Sequence, residues 1–398
     1  MNAQTQDLLR GMTRGIMNAA GVVSRRVRER GLDRWAAAAL FPTEQLPPVD
    51  WNRDVLDVFI AICDHFEPDW GRPGAEEALR RATCWREEYP RWFGAFRDCS
   101  GRPPQHSFFY PQDEYRPECV DQIAELCQLG YGDVEIHLHH DHDTADQLRE
   151  KLLSFRDELV NRHGLLRRDQ VTGKPVYGFI HGNWALCNSR PDGRWCGVDQ
   201  EIPVLLETGC YADFTFPSAP SPTQPGLINQ IYYAQDRPGP RAHETGLRAT
   251  LGKSPPDESL LMIPGPLRFD WQRKKFGLIP KVENADLLAS HPPSLERWRL
   301  WVEAGVVVAG RPDWRFVKLH THGCNPANQK MWFSERVANF HRQLAEFHRN
   351  HPNIRYHYVT AYEMAALVRQ AEQGEAEPVI DLSLEARHDL ELVRGEVR

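Results

Sequence analysis

The stretch DVEIHLHHDHDT, Asp133–Thr144, holds four of the chain's 17 histidines and three aspartates. Apolar residues such as Val134 and Ile136 alternate with polar ones, which predicts a strand with one buried face. His137 and His139 then project from the opposite face at the strand's C-terminal end. Imidazoles and carboxylates crowded there suit a divalent cation such as zinc. The alternative is a solvated polar loop, but dense imidazoles repel one another when protonated, and a metal removes that cost.

The run Val55–Cys63 predicts another strand, because a nearly continuous apolar segment is typical of strands buried on both faces of a parallel sheet. The run continues directly into Asp64 and His65. Charged groups at the tip of a buried strand are costly to bury without a partner. Barrel enzymes place their chemistry at such tips, so Asp64 and His65 are candidate functional residues.

Helical patterns separate the remaining predicted strands, and His181 and His320 lie at the ends of two of them. Strands that alternate with helices over residues 55–364, with His or Asp at four strand ends, predict a parallel (β/α) barrel whose strand tips share one metal site. These other strands are expected at Ser107–Tyr110, Val176–His181, Tyr211–Phe216, Arg315–His322 and Ile354–Val359.

The chain is expected to divide into three parts. Residues 1–50 form a basic, amphipathic helical segment, and residues 1–40 could lie on an anionic membrane surface or dock on the chain's own domain. Residues 51–370 form the barrel, interrupted at about 217–293 by a Pro- and Gly-rich insertion over the site that contains one apolar strand. Residues 371–398 form a polar tail.

Composition narrows the class of protein. The 398 residues carry a net charge of −7 and are 41% hydrophobic, which is typical of a globular protein and gives no basic face for nucleic acid. The nine cysteines include no Cys-x-x-Cys pair, so reduced thiols in a cytoplasmic protein are expected. No secretory signal or run of eighteen apolar residues is visible.

The order of these motifs resembles the NodB-homology polysaccharide deacetylases, carbohydrate esterase family 4, within the glycoside hydrolase/deacetylase superfamily. The family's first strand ends in Thr-Phe-Asp-Asp-Gly, and residues 62–66, Ile-Cys-Asp-His-Phe, occupy that place. Its Glu-Ile-Gly-x-His strand is similar to Glu135–His139. Its late Leu-His motif is similar to Leu319-His320, and its closing Val-Thr-Leu-Ser-Glu-Leu to Val359–Met364. The resemblance implies a (β/α)7-type barrel.

The resemblance also implies roles for site residues. Asp64 takes the place of the catalytic base, and His320 that of the general acid. His65 stands where the family has a metal-binding Asp, and His139 where it has the first metal-binding His. The family's second metal-binding His lies four residues further on. Here that position is an aspartate, with a histidine just before it, so both are candidate ligands: His142 and Asp143.

A rival interpretation is the metallo-β-lactamase fold, because residues 137–142 also fit that family's His-x-His-x-Asp-His signature. The preceding residues are helix-rich, however, and no Gly-His-Thr-x-Gly segment follows. Two further alternatives stay open: a glycoside hydrolase with Asp64 paired to Asp213 or Glu67, and a carbohydrate-binding barrel without catalysis.

The resemblance thus implies a metal-dependent hydrolase that removes an N-acyl, or alternatively an O-acyl, group from a sugar or polysaccharide precursor, so that the partner is a carbohydrate or glycolipid. One divalent transition metal is expected, with zinc as the first candidate. His181, Asn183 and Trp184 are expected to contact the sugar. His322 could contact substrate, orient a neighbour or bind metal. The sequence leaves the sugar, the acyl group and the oligomeric state open.

Overall fold

The structure is a computed structural model that describes residues 27–41, 46–169 and 171–380. Most of the predicted N-terminal basic segment and most of the polar tail lie outside the described residues. The strands are β1 Leu56–His65, β2 His106–Pro111, β3 Gly132–Leu138, β4 Arg167–Arg168, β5 Pro175–His181, β6 Cys210–Asp213, β7 Tyr232–Gln235, β8 Gly246–Arg248, β9 Ser259–Met262, β10 Arg268–Lys275, β11 Ile279–Glu283, β12 Trp314–Thr321 and β13 Ile354–Tyr358. The helices are α1 Leu32–Leu40, α2 Ala75–Phe93, α3 Pro117–Gln128, α4 Ala145–Asn161, α5 Glu201–Thr208, α6 Leu295–Glu303, α7 Pro326–Trp332, α8 Glu335–Asn350 and α9 Ala361–Gln373.

The predicted α/β class with a parallel sheet is confirmed. Strands β12, β1, β2, β3, β5, β6 and β9 are neighbours in that order, and each pairs in parallel with the next. Strand β13 also pairs in parallel with β1. Helices connect most of these strands, as parallel pairing requires. The metallo-β-lactamase interpretation needs an αββα sandwich, and the described strands instead form one mostly parallel sheet of eleven strands and a separate two-stranded sheet, β10 with β11.

Hydrogen bonds outside the named strands link the two ends of this sheet. The backbone N–H of Phe316 in β12 donates to the carbonyl of Val306 at 2.9 Å, and that of Ala309 donates to Ala249 at 2.9 Å. Ala249 lies just after β8, which pairs through β7 with β9. Residues 306–309 therefore complete the circuit from β12 to β9, as a barrel requires.

The two faces of the strands pack in two different apolar clusters. In β1, Ile60 and Ile62 pack in the cluster that includes side chains of most helices, whereas Ala61 and Cys63 belong to an inner cluster built from strands around the sheet and from helix α9. Because side chains alternate along a strand, His65 shares the inner face with Cys63. The C-terminal ends of the parallel strands lie at the same edge, so the inner face there forms the mouth of the barrel.

The segment predicted as an insertion, residues 217–293, supplies β7 to β11, and its strand β9 joins the main sheet beside β6. Helix α1 lies against this segment, where the Trp35 ring stacks on Phe269 with centroids 5.8 Å apart. Trp35 is fully buried. Among the described helices none is long and apolar enough to span a bilayer.

Candidate metal centre

Glu67 lies at the centre of a histidine cluster in the barrel mouth, two residues beyond the end of β1. One carboxylate oxygen lies 3.2 Å from His139 Nε2 and 3.4 Å from His137 Nε2. The other oxygen accepts a hydrogen bond from His322 Nδ1 at 3.0 Å. The ring of His65 lies 4.8 Å from that of His137 and 4.7 Å from that of His322, between centroids. We call these five residues the Glu67 cluster.

Two of the imidazoles, those of His137 and His139, are held in place through Nδ1, the ring nitrogen that lies away from Glu67. His137 Nδ1 donates to the carbonyl of Ile180 in β5 at 2.8 Å. His139 Nδ1 lies 3.2 Å from a carboxylate oxygen of Asp113, in the turn after β2. In a neutral ring such a bond places the proton on Nδ1 and turns the Nε2 lone pair toward Glu67, which is how metal-binding histidines are usually oriented.

The polar atoms of the cluster fit a metal ion. His65 Nε2 and His137 Nε2 are buried without an aligned hydrogen-bond partner, although buried polar atoms are nearly always paired. Glu67 forms a three-ligand group with His137 and His139, and another with His65 and His322. A carboxylate and imidazoles are a ligand set that zinc and similar ions accept.

The electrostatics show that Glu67 is the negative centre of the cluster. Burial alone would raise the pKa of Glu67, but the neighbouring imidazoles of His137, His139 and His322 outweigh it and hold that pKa well below its usual range. Burial depresses the pKa of His139, yet Asp113 and Glu67 overcome this and raise it to about 10. Positive charge is therefore stabilised between these two carboxylates, as a bound cation would be.

The imidazole of His65, in contrast to that of His139, is held in its neutral form. Burial, followed by the neighbouring rings of His322 and His137, lowers the pKa of His65 well below its ordinary value. Burial and the charge of Lys318 likewise lower the pKa of His320 to about 3. His320 faces the same interior at the end of β12, with its ring 6.3 Å from that of His65 and its Nδ1 unpartnered.

The mouth of the site is aromatic. The Trp184 ring lies 6.3 Å from the His65 ring, and its buried Nε1 has no partner. The half-exposed Trp70 ring lies 5.0 Å from that of His322. Two residues predicted to contact substrate, Trp184 and His322, thus lie at the Glu67 cluster.

The structure does not bring Asp64 to this cluster. Its side chain points from the opposite face of β1, toward the helices, where His106 Nε2 lies 3.0 Å from one oxygen and the backbone N–H of Gly323 donates to the other at 2.6 Å. A Cβ at Gly323 would lie 2.1 Å from the Asp64 carboxylate, so only glycine allows this approach. The physical reason for the separation from His65 is strand alternation.

The candidate metal ligands His142 and Asp143 also lie outside the Glu67 cluster. His142 is exposed and has a left-handed backbone, with φ of 55°. Asp143 pairs with Lys151 at 2.6 Å and lies 3.1 Å from His140 Nδ1. The neighbouring Thr144 caps α4.

Of the other predicted substrate contacts, His181 belongs to a second, buried cluster around Glu201. Asn183 occupies the turn after β5 with φ of 55° and is partly exposed. Sequence reasoning gave Glu67 only a glycosidase role and gave Asp113 none. The usable signal was the spacing: His65 and Glu67, like His137 and His139, are two residues apart and so share a face.

Comparisons with known proteins give no sequence-level relative. No protein-family model matches the chain, and no curated protein matches it significantly. Two solved structures are similar in fold. One is a protein of Mycobacterium smegmatis assigned as a polysaccharide deacetylase, at 14% identity and a TM-score of 0.40, over 83% of this chain and 96% of that one. The other is PuuE allantoinase, at 13% identity and a TM-score of 0.41, over 86% and 98%. TM-scores this low do not bear on the site, whose chemistry rests on the residues themselves.

Proposed function

We propose that the chain is a metal-dependent hydrolase that removes an N-acyl group from a sugar or glycolipid, with the Glu67 cluster as its reactive centre. The observation that carries the proposal is the pair of anchored imidazoles, His137 and His139, whose free Nε2 atoms converge on the buried carboxylate of Glu67 in an open barrel mouth.

Glu67, His137 and His139 are the proposed ligands of one divalent ion, with zinc as the first candidate. Two histidines and a glutamate are a ligand set of catalytic zinc sites, which leave a further position open. An ion bound there would polarise the acyl carbonyl and lower the pKa of a water molecule. Asp113 would orient His139 as an outer carboxylate.

Two other imidazoles of the cluster are suited to moving protons. His65 is neutral at pH 7 because its pKa is depressed, and its unpartnered Nε2 can accept a proton from the attacking water. His322 reaches the mouth and is held by Glu67 through Nδ1, so it can donate a proton to the leaving amine. This assignment replaces Asp64 as base, because both of its oxygens are bonded on the helix-facing side.

The substrate class rests on two supports. Trp70 and Trp184 provide aromatic surface beside polar groups, a lining common in small-molecule sites and suited to the apolar face of a sugar. The motif order resembling the NodB-homology deacetylases favours an N-acylated sugar over other amides. The glycosidase alternative has less support, because the Asp213 carboxylate is bonded to Thr215 and Asp64 faces away.

The test is the release of acetate from a panel of N-acetylated sugars and oligosaccharides by purified protein. Hydrolysis should disappear after chelation and return with added zinc, and His137→Ala should abolish it. His142→Ala removes an exposed imidazole from the same sequence stretch and serves as the matched control. Hydrolysis that survives complete metal removal would overturn the metal dependence, and metal-loaded protein that cleaves none of these amides would overturn the substrate class.

A further inference from the structure

A second cluster of metal-binding groups lies around Glu201, the first residue of α5. His140 Nε2 lies 2.8 Å from His181 Nε2, and these atoms lie 3.1 Å and 3.4 Å from the same Glu201 oxygen. Cys196 Sγ lies 3.3 Å from the other oxygen. The four ligand atoms all lie within 4.8 Å of one another. We call these four residues the Glu201 cluster.

The Glu201 cluster is closed. All four residues are buried, and the side chains of His140, His181 and Glu201 have 0% exposure. They come from four places in the chain: the turn after β3, the end of β5, the excursion 182–200, and α5. A thiol, two imidazoles and a carboxylate are thus gathered out of contact with solvent in the described part of the chain.

Hydrogen bonds turn the ligand atoms of the Glu201 cluster toward one another. His181 Nδ1 donates to the carbonyl of Gly182 at 2.5 Å, so a neutral His181 carries a lone pair on Nε2. That lone pair points at His140 Nε2, while His140 Nδ1 lies beside Asp143 but is not aligned with it as a hydrogen bond. A proton on His140 Nε2 is shared between His181 and Glu201, the Cys196 thiol donates to the other Glu201 oxygen, and His140 Nδ1 is left without a partner.

We propose that the Glu201 cluster is a structural zinc site with four protein ligands: His140, His181, Cys196 and Glu201. Nitrogen, sulfur and carboxylate ligands match the borderline-soft character of zinc, and closed four-ligand sets are typical of structural sites. Gly182 and Asp143 would then orient the two imidazoles from behind, the usual arrangement around metal-bound histidines.

The proposed ion would cross-link the excursion 182–200 to the barrel. This excursion has short 3-10 turns as its regular structure, and its left-handed residues include Asn183, Cys187 and Trp195. The same excursion carries Trp184, whose ring faces His65. The structural ion would therefore hold one wall of the barrel mouth in place.

Cobalt substitution tests the site in the intact wild-type protein. Cys196 is the one cysteine in any metal-binding group among the described residues, so cobalt in the Glu201 cluster should show thiolate charge-transfer absorption, whereas the Glu67 cluster offers only nitrogen and oxygen. X-ray absorption of the zinc form should correspondingly show sulfur at about 2.3 Å. Chelation should also speed proteolysis within residues 182–200.

Two variants complete the experiment. Cys196→Ser should remove the thiolate signal and one equivalent of metal, whereas Cys187→Ala, a buried thiol in the same excursion, should keep both. His137→Ala should keep the thiolate signal even though the Glu67 cluster is damaged. Cobalt-loaded wild type without thiolate absorption, or zinc with no sulfur neighbour, would overturn the proposal whatever the activity of the protein.

Discussion

The Glu67 and Glu201 clusters both draw a histidine from the turn after β3 and differ in their access to solvent. Each has a buried glutamate surrounded by histidines, and the adjacent residues His139 and His140 belong to different clusters. Around Glu67, the side chains of His139 and His322 are 26% and 20% exposed. Around Glu201, the imidazoles are fully buried and a thiol completes the set.

This difference indicates different uses of the same side-chain chemistry. A metal with an open position can bind water and substrate, whereas a metal enclosed by four protein ligands contributes to folding and stability. The account therefore assigns hydrolysis to the Glu67 cluster and stability to the Glu201 cluster. Substituting the two glutamates in turn should separate these roles.

The largest effect is expected from Glu67→Gln. Loss of the negative charge removes a proposed ligand and the partner of three histidines, so turnover of an N-acylated sugar should fall by roughly 10³-fold. The unfolding temperature should fall less than in Glu201→Gln, and the thiolate signal of cobalt-loaded protein should persist. If turnover stays within tenfold of wild type, Glu67 is not part of the reactive centre.

The next effect is expected from Glu201→Gln, where the amide keeps the shape but weakens metal binding. The protein should lose one equivalent of metal and unfold at a lower temperature, because a ligand that binds the folded state stabilises it. Turnover should fall less than tenfold at a temperature where the variant is folded. A loss of turnover as large as that of Glu67→Gln would contradict the assignment of the two clusters.

A smaller effect is expected from Asp64→Asn, on the helix-facing side of β1. The amide weakens the bonds to His106 and Gly323, so the free energy of unfolding should fall by about 2 kcal/mol, the scale of a buried hydrogen bond to a charged group. Metal content should stay at the wild-type value and turnover within tenfold of it. A specific loss of turnover in fully folded protein would restore Asp64 as the base.

The sequence predicted the parts of the fold that have a strong periodic pattern. The apolar run in β1 and the alternation in β3 are local signals, and both strands form where expected. The grouping of His65, His137 and His139 in the barrel mouth follows from strand ends meeting at one edge of a parallel sheet.

The rest of the site depends on the directions in which side chains point, and the spacing of residues along the chain does not determine these directions. After β3 the chain turns, with left-handed backbone at His142, so His139 and His140 point to different clusters. Asp64 and His65 are adjacent but face opposite sides of β1. Cys196 reaches His140 only because the excursion 182–200 folds back onto the turn after β3, where the Asp143 N–H donates to the Cys196 carbonyl, and no local pattern indicates this.

Anomalous diffraction at the zinc edge, from crystals of the purified wild-type protein, tests the central claim most directly. The account predicts one peak bounded by Glu67, His137 and His139 with an open side toward the barrel mouth, and another enclosed by His140, His181, Cys196 and Glu201. Zinc-saturated crystals with no peak beside Glu67 would contradict the proposed reactive centre.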